Sequence, residues 1–174
     1  TPGIVDRFLV AAAAQDIQAI LVVNKSDLLP PGGERPWSHY ASAGAEIVET
    51  SALGGSGISE LTALIKGRAA AFCGHSGVGK TSLLRRLLGD EKLGRIGTLS
   101  AATGMGKHTT TGAIMLPGPE DSAWIDTPGI MNFTLVGVER EKLLALFPDL
   151  ARASARCGAD CLHAQEPDCA LRGM

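Results

Sequence analysis

The nine residues Gly74-His75-Ser76-Gly77-Val78-Gly79-Lys80-Thr81-Ser82 match G-x-x-x-x-G-K-[ST], with Gly74, Gly79, Lys80 and Thr81 on the fixed positions. Their chemistry is phosphate binding. Glycines let successive backbone N–H groups curl around a β-phosphate, and the N-terminus of a following helix favours the negative charge. Gly74, Ser76, Gly77, Val78, Gly79, Thr81 and Ser82 are the expected lining of that cradle. Lys80 would reach the β- and γ-phosphates, and the Thr81 hydroxyl would bind Mg2+. The alternative is a glycine-rich turn that matches by chance.

Asn24-Lys25-Ser26-Asp27 has the pattern N-K-x-D. The Asp27 carboxylate can accept two hydrogen bonds from the N1–H and N2–H2 edge of guanine. Adenine has no such pair of donors, so the arrangement selects GTP over ATP. The Asn24 amide can tie the base site to the phosphate loop, and the Lys25 stem can lie along the base. Ser51-Ala52, after a strand, is placed where a backbone N–H can read guanine O6. Each of these short patterns is common by chance when taken alone.

Asp126-Thr127-Pro128-Gly129 fits D-x-x-G. The acid can hold Mg2+ through water, and the Gly129 N–H can meet the γ-phosphate. The next residue, Ile130, cannot orient an attacking water, so that group must come from elsewhere. Residues Gly94 to His108, rich in Gly, Ser and Thr, lead into Thr109-Thr110-Thr111. Thr110 is expected to close over Mg2+ and the γ-phosphate as a switch residue. His108 beside it can both accept and donate a proton and is the expected water-positioning residue. The plainer readings are three threonines at a strand entry and a solvated loop histidine.

Cys157, Cys161, His163 and Cys169 form C-x3-C-x-H-x5-C. Three thiolates and one imidazole make a closed tetrahedral zinc site, structural because no position stays open for water. The alternative is buried cysteines with a nearby surface histidine. The remaining cysteine, Cys73, lies far from this cluster in sequence, and the spacing does not suggest a secreted disulfide framework.

Elements that would position these residues follow from the pattern. Ile4 to Ala14 reads as a helix with Val5, Phe8, Leu9 and Ala12 on one face. Strands are expected over Ile17–Val23, Ala45–Glu49, Ala69–Cys73, Gly112–Leu116 and Ser122–Asp126. Pro30 to Pro36 is a turn-rich loop before a short helix, and Ser59–Ile65 is a helix capped by Ser59. Leu83, Leu84, Leu87 and Leu88 form the apolar face of a helix ended by Gly89, and Glu139 to Phe147 forms another.

The chain has 174 residues, enough for one α/β domain and a small appendage. Its hydrophobic content of 45% supports a packed core. A net charge of −2 provides no global basic field, so any RNA contact must be local or come from elsewhere. No run of about 18 apolar residues occurs, so no membrane helix is expected.

The order of the motifs is inverted. N-K-x-D and Ser51-Ala52 precede the phosphate loop, and moving residues 4–68 behind residues 69–138 restores the ordinary GTPase order. In this the chain resembles the circularly permuted GTPases, and among them those acting in small ribosomal subunit biogenesis. The residues carrying the likeness are Asn24 to Asp27, Gly74 to Ser82, His108 to Thr111, Asp126 to Gly129 and the Cys/His tail. The family's first cysteine gap is usually one residue longer, although C-x3-C remains within zinc-binding spacing.

The resemblance implies an α/β P-loop NTPase fold, with a mostly parallel sheet, helices on both faces and a small C-terminal zinc-binding helical segment. Residues 1–138 would be the permuted GTPase domain, incomplete at its N-terminus, and 139–174 a shortened zinc-binding domain. It also implies GTP hydrolysis stimulated by the small ribosomal subunit, with late maturation of that subunit as the role. Mg2+ and Zn2+ are the implied cofactors and the cytoplasm the setting. Contact with rRNA would run mainly through an upstream OB-type domain, the protein being monomeric.

Two other classes remain open on sequence: a nucleotide-gated binding module with little hydrolysis, and an ATP-using P-loop kinase in which Asp27 plays no part. A family domain also has six core strands, against five here. The sixth is expected from residues before Thr1, between the phosphate-loop strand and the Asn24 strand. Direct pairing of those two strands would refute this.

Overall fold

The computed structural model describes residues 2–42, 45–89, 112–129, 138, 143–144 and 147–172. They fall into two compact units, Thr1–Leu21, Glu34–Ile47 and Phe133–Met174 in the first, Val22–Gly33 and Val48–Asn132 in the second.

The second unit is built on a short strand, Ala123–Asp126, here β5, in which Trp124 and Asp126 share the buried face. That is the period of two expected of a strand. Trp124 has no exposed surface, and its indole N–H donates to the Ile65 carbonyl at 3.4 Å. The ring meets Phe72 edge-on with centroids 6.5 Å apart. A buried indole needs such a partner for its single donor.

Strand β3 (Ala69–Phe72) runs parallel to β5, and β4 (Ile114–Pro117) runs antiparallel, giving the order β3-β5-β4. The sheet is thus mixed. The turn between β4 and β5 dictates the antiparallel pair: the Gly118 N–H donates to the Ser122 carbonyl at 2.8 Å. Glu120 and Asp121 take φ of 52° and 58°, the positive pair that a tight hairpin requires. A Cβ on Gly118 would sit 2.8 Å from Ser122 Cβ and 2.9 Å from the indole, so only glycine fits. Pro117 ends a strand that is outermost among the described strands of this sheet, where its lack of an N–H is tolerated.

Helix α3 (Ile58–Ile65) buries Leu61 and Ile65 on one face, and α4 (Lys80–Leu88) buries Leu83 and Leu84 against α3 and β5. Each such side chain contributes about 1.5–3 kcal/mol of burial. Gly89, with φ 77°, ends α4 as expected. The α3 cap differs from the sequence reading. Gly57, not Ser59, is the N-cap, at φ 68°, and a Cβ there would lie 2.1 Å from the Glu49 carbonyl oxygen.

Helix α1 (Pro2–Ala13) opens the first unit. It ends with Asp16 at φ 53° and the Ile17 N–H reaching back to the Ala12 carbonyl at 2.9 Å, a Schellman arrangement. That closure holds Ile17 out of the strand expected from it, so β1 spans only Ile20–Val23. It pairs with β2 (Glu46–Glu49) in a two-stranded sheet. Among the described strand pairs, β3 is not joined to β1.

Helix α2 (Ser38–Ser42) buries Tyr40, whose hydroxyl donates to Asp6 Oδ1 at 2.8 Å. Helix α5 (Pro148–Ser154), begun by Pro148 and Asp149, was not anticipated, and the helix expected over 139–147 lies mostly outside the described residues.

Candidate functional site

The phosphate loop follows β3 directly and delivers Lys80 and Thr81 as the first residues of α4. Gly74, Gly77 and Gly79 take φ of 154°, 81° and 93°, and the last two lie where a side chain would strain the backbone. The Lys80 ammonium curls back over the loop and donates to the Gly74 and His75 carbonyls at 2.8 and 2.9 Å. Ser76 lies against Gly129: a Cβ on Gly129 would come within 2.9 Å of the Ser76 nitrogen. The D-x-x-G turn and the phosphate loop are therefore in van der Waals contact.

Asn24 is the junction between the base-side loops and the phosphate loop. Its Nδ2 donates to the Val78 carbonyl at 3.1 Å. Its Oδ1 accepts from the Ala52 N–H at 3.1 Å and from the Thr50 hydroxyl at 3.3 Å. A Cβ on Gly79 would strike Asn24 Nδ2 at 2.4 Å, which is why a glycine stands there. Lys25 sits at φ 66° and donates from Nζ to the Gly77 carbonyl at 2.9 Å.

Asp27 lies in a 3-10 turn, Ser26–Leu28, that begins from this left-handed Lys25. Its Oδ1 accepts a short hydrogen bond from the Ser51 hydroxyl. The Gly54 N–H donates in turn to Ser51 Oγ at 2.8 Å. Thr50 and Ser51 are almost fully buried, so these bonds satisfy hydroxyls that would otherwise be costly to desolvate. Asn24, Lys25, Asp27, Ser51, Ala52 and the phosphate loop are thus one connected network.

Asp126 and Thr81 also meet, the Thr81 hydroxyl donating to Asp126 Oδ2 at 3.0 Å. Asp126 is only 6% exposed, and its Oδ1 is buried with no hydrogen-bond partner among the described residues. A buried carboxylate oxygen left over beside a hydroxyl is a fitting ligand set for a hard cation with its waters. Thr127 pins the same turn to β3 by donating to the Phe72 carbonyl at 2.7 Å. His108, Thr110 and Ile130 lie outside the described residues.

In the first unit, Cys157, Cys161, His163 and Cys169 place their ligand atoms all within 4.8 Å of one another, and no cysteine of the chain is in a disulfide. The His163 Nδ1 lies 3.5 Å from Cys161 Sγ and 3.6 Å from Cys169 Sγ. Tetrahedral zinc with its usual bonds to sulfur and nitrogen separates those ligands by about 3.6 Å, so the set fits such an ion. The Ala170 N–H donates to Cys157 Sγ at 3.2 Å, support of the kind metal-bound thiolates receive. Cys157 thus lies within the same cluster, its sulfur accepting that N–H.

The thiols are unequal. A hydrogen bond from His163 is the main cause pulling Cys169 down to about 7. For Cys161 the backbone N–H of His163 acts downward, but burial and the Cys169 and Cys157 sulfurs together leave it pushed up to about 11. Crowded thiols resist ionising together, and a bound cation removes that resistance.

Sequence reasoning missed Thr50, Thr127 and Glu166. Thr50 and Thr127 carry a weak signal as neighbours of motif residues. Glu166 carries none: its carboxylate takes the N–H groups of Leu162, Ala164 and Gln165.

The family model described as RsgA GTPase matches residues 1–136. A protein of Chlorobaculum parvum named small ribosomal subunit biogenesis GTPase RsgA is 41% identical over 170 residues, covering 97% of this chain and 54% of that protein. The crystal structure of YjeQ from Thermotoga maritima superposes with a TM-score of 0.72 at 31% identity, over 99% of this chain and 58% of the other. YloQ, described as a circularly permuted GTPase, superposes at 0.69 with 25% identity, over 99% of this chain and 55% of its own. The chain spans about half the length of the relatives it matches. The permuted order of motifs is thus shared with solved structures, and the fold is that of a circularly permuted GTPase.

Proposed function

We propose that this chain, which belongs to the RsgA GTPase family, binds and hydrolyses GTP as a switch in late maturation of the small ribosomal subunit. The observation that carries this reading is the Asn24 junction, which makes a base-reading turn and a phosphate cradle one site despite their inverted order. Asp27, oriented by Ser51, accepts from the guanine N1–H and N2–H2 edge, and the Ala52 N–H, which donates to Asn24 Oδ1 in this structure, would have to turn to guanine O6 to read it. Lys25 lays its stem along the base. The backbone amides from Ser76 to Ser82 hold the phosphates, and the Gly129 N–H meets the γ-phosphate.

Lys80 leaves its carbonyl partners for the β- and γ-phosphates and stabilises the charge of the transferring phosphoryl group. Thr81 and Asp126, joined by Thr110, would hold Mg2+, which supplies neutralisation of phosphate charge. Water oxygen bonds to the γ-phosphorus as the bond to the bridging oxygen breaks, GDP leaves with the electron pair, and the water proton passes to phosphate. His108 is the residue proposed to position that water. Membership of a GTPase family favours hydrolysis over a nucleotide-gated module without turnover.

The Cys157, Cys161, His163 and Cys169 set is proposed to hold structural Zn2+, with the whole protein acting as a monomer in the cytoplasm. Contact with rRNA is assigned mainly to an OB-type domain upstream, consistent with the chain's net charge of −2.

The test is guanine selectivity. Displacement of a fluorescent guanine nucleotide should show GTP binding far ahead of ATP. Asp27→Asn should weaken GTP by about 2–3 kcal/mol, because a donor then faces the guanine donors. Unchanged GTP affinity in that variant sinks the assignment. Single-turnover hydrolysis with and without small ribosomal subunits tests the switch role, and a rate that the particle leaves unchanged counts against it.

A further inference from the structure

We infer that Glu166 is the positioning residue of the metal cluster, clamping the short loop that carries His163 into the one conformation in which its Nδ1 meets two cysteine sulfurs. The inference rests on the zinc reading of Cys157, Cys161, His163 and Cys169. One carboxylate oxygen, Oε1, accepts from the Leu162 N–H at 2.8 Å. The other, Oε2, accepts from the Ala164 N–H at 2.9 Å and the Gln165 N–H at 3.1 Å. The two oxygens therefore grip the backbone on both sides of His163.

His163 itself sits at φ 56°, a left-handed conformation that a side chain other than glycine adopts at a cost. A site formed before the metal arrives needs something to hold it there. Leu162 is 75% exposed, so apolar packing of its neighbour does not do so. Charge-assisted bonds from three N–H groups do. Their effect on the acid is visible: its own backbone N–H first, then that of Leu162, hold the Glu166 carboxyl below its usual range. With the loop closed in this way, Nδ1 stands 3.5 and 3.6 Å from Cys161 and Cys169 Sγ. Without it, the histidine would have to be fixed by the metal alone.

The experiment uses the full chain, loaded with Zn2+ and titrated against a chromophoric chelator, for wild type, Glu166→Ala, Glu166→Gln and Asp168→Ala. Removing outer-shell support of a ligand typically weakens metal binding about 10–100-fold. Glu166→Ala should show a loss in that range, and Glu166→Gln, which keeps one acceptor oxygen, a smaller one. Asp168→Ala removes the same charge beside Cys169 without touching these N–H groups and should bind as wild type does. Loading with Co2+ gives a second readout, because its ligand-field bands report on the tetrahedron of three sulfurs and one nitrogen itself. They should shift or broaden in Glu166→Ala and stay in place in Asp168→Ala.

Wild-type affinity in Glu166→Ala, or an equal loss in Asp168→Ala, overturns the role of Glu166 while leaving the zinc reading intact. A wild-type chain that takes up no zinc overturns both, and the wild-type arm alone reveals it.

Discussion

Replacing Asn24 by alanine removes three hydrogen bonds at once, those to Val78 O, from Ala52 N–H and from the Thr50 hydroxyl. Each is worth about 1 kcal/mol net, so the loss is about 3 kcal/mol. Thr50 is fully buried, and its hydroxyl left without an acceptor adds to the cost, while the 3.3 Å length of that bond limits it. The total corresponds to roughly a 100-fold change in an equilibrium constant. Part of it should lower the stability of the nucleotide-free chain, read by urea unfolding. The rest should weaken nucleotide binding, read by displacement of a fluorescent GDP analogue, because of the two side-chain bonds described between these loops only that from Lys25 to the Gly77 carbonyl then remains.

None of the three bonds reaches the position of a γ-phosphate, so GTP and GDP should weaken alike. Asn24→Asp keeps the size but turns an acceptor towards the Val78 carbonyl oxygen, and should do at least as much damage. The reasoning fails if the stability and binding losses of Asn24→Ala sum to less than about 1 kcal/mol. It fails equally if GTP binding falls and GDP binding does not.

The other expectations concern the scaffold and the metal segment. Burial first, then the bond to Asp6 and the Asp6 charge, push the Tyr40 pKa up to about 12. The unfolded chain then loses its phenolic proton first, at about pH 10, so this contribution to stability is complete below about pH 10 and gone above the folded value. Unfolding measured across that range should steepen in wild type relative to Tyr40→Phe, and identical pH curves would remove the effect. Gly57→Ala should cost more than about 1 kcal/mol by chemical denaturation, since it combines a left-handed φ with a backbone oxygen in the way. Chelation should increase amide exchange over residues 157–172 before it changes GTP affinity, because the two sites lie in different compact units. Metal analysis of protein purified without chelator should find one zinc per chain.

What the sequence made legible was chemistry carried by residue type and spacing. The phosphate loop between an apolar run and a helix is found between β3 and α4, with Gly89 closing the helix. The pairing of Asn24 with the phosphate loop could be read because an amide offers both a donor and an acceptor at that place. What stayed hidden was set by contacts distant in the chain. Gly57 caps α3 because the Glu49 carbonyl fills the space a side chain would need, and no local pattern announces that. Ile17 reads as a strand residue by its branching, yet the closure of α1 holds its N–H. Glu166 looks like an ordinary surface acid until the loop in front of it is seen folded around it.

The bonds from Asn24 and Lys25 to the phosphate loop span 54 and 52 residues, and the base-side partner comes first in the chain. Protein synthesis at about 5–20 residues per second puts a delay of about 3–11 s between the two ends of that connection. A nascent chain of ordinary GTPase order displays its phosphate cradle early and completes guanine recognition last. Here the newly made polypeptide has its base-reading turn waiting in water when Gly74 to Ser82 emerges. On the proposed function, the turn that discriminates guanine is thus synthesised before the cradle it serves.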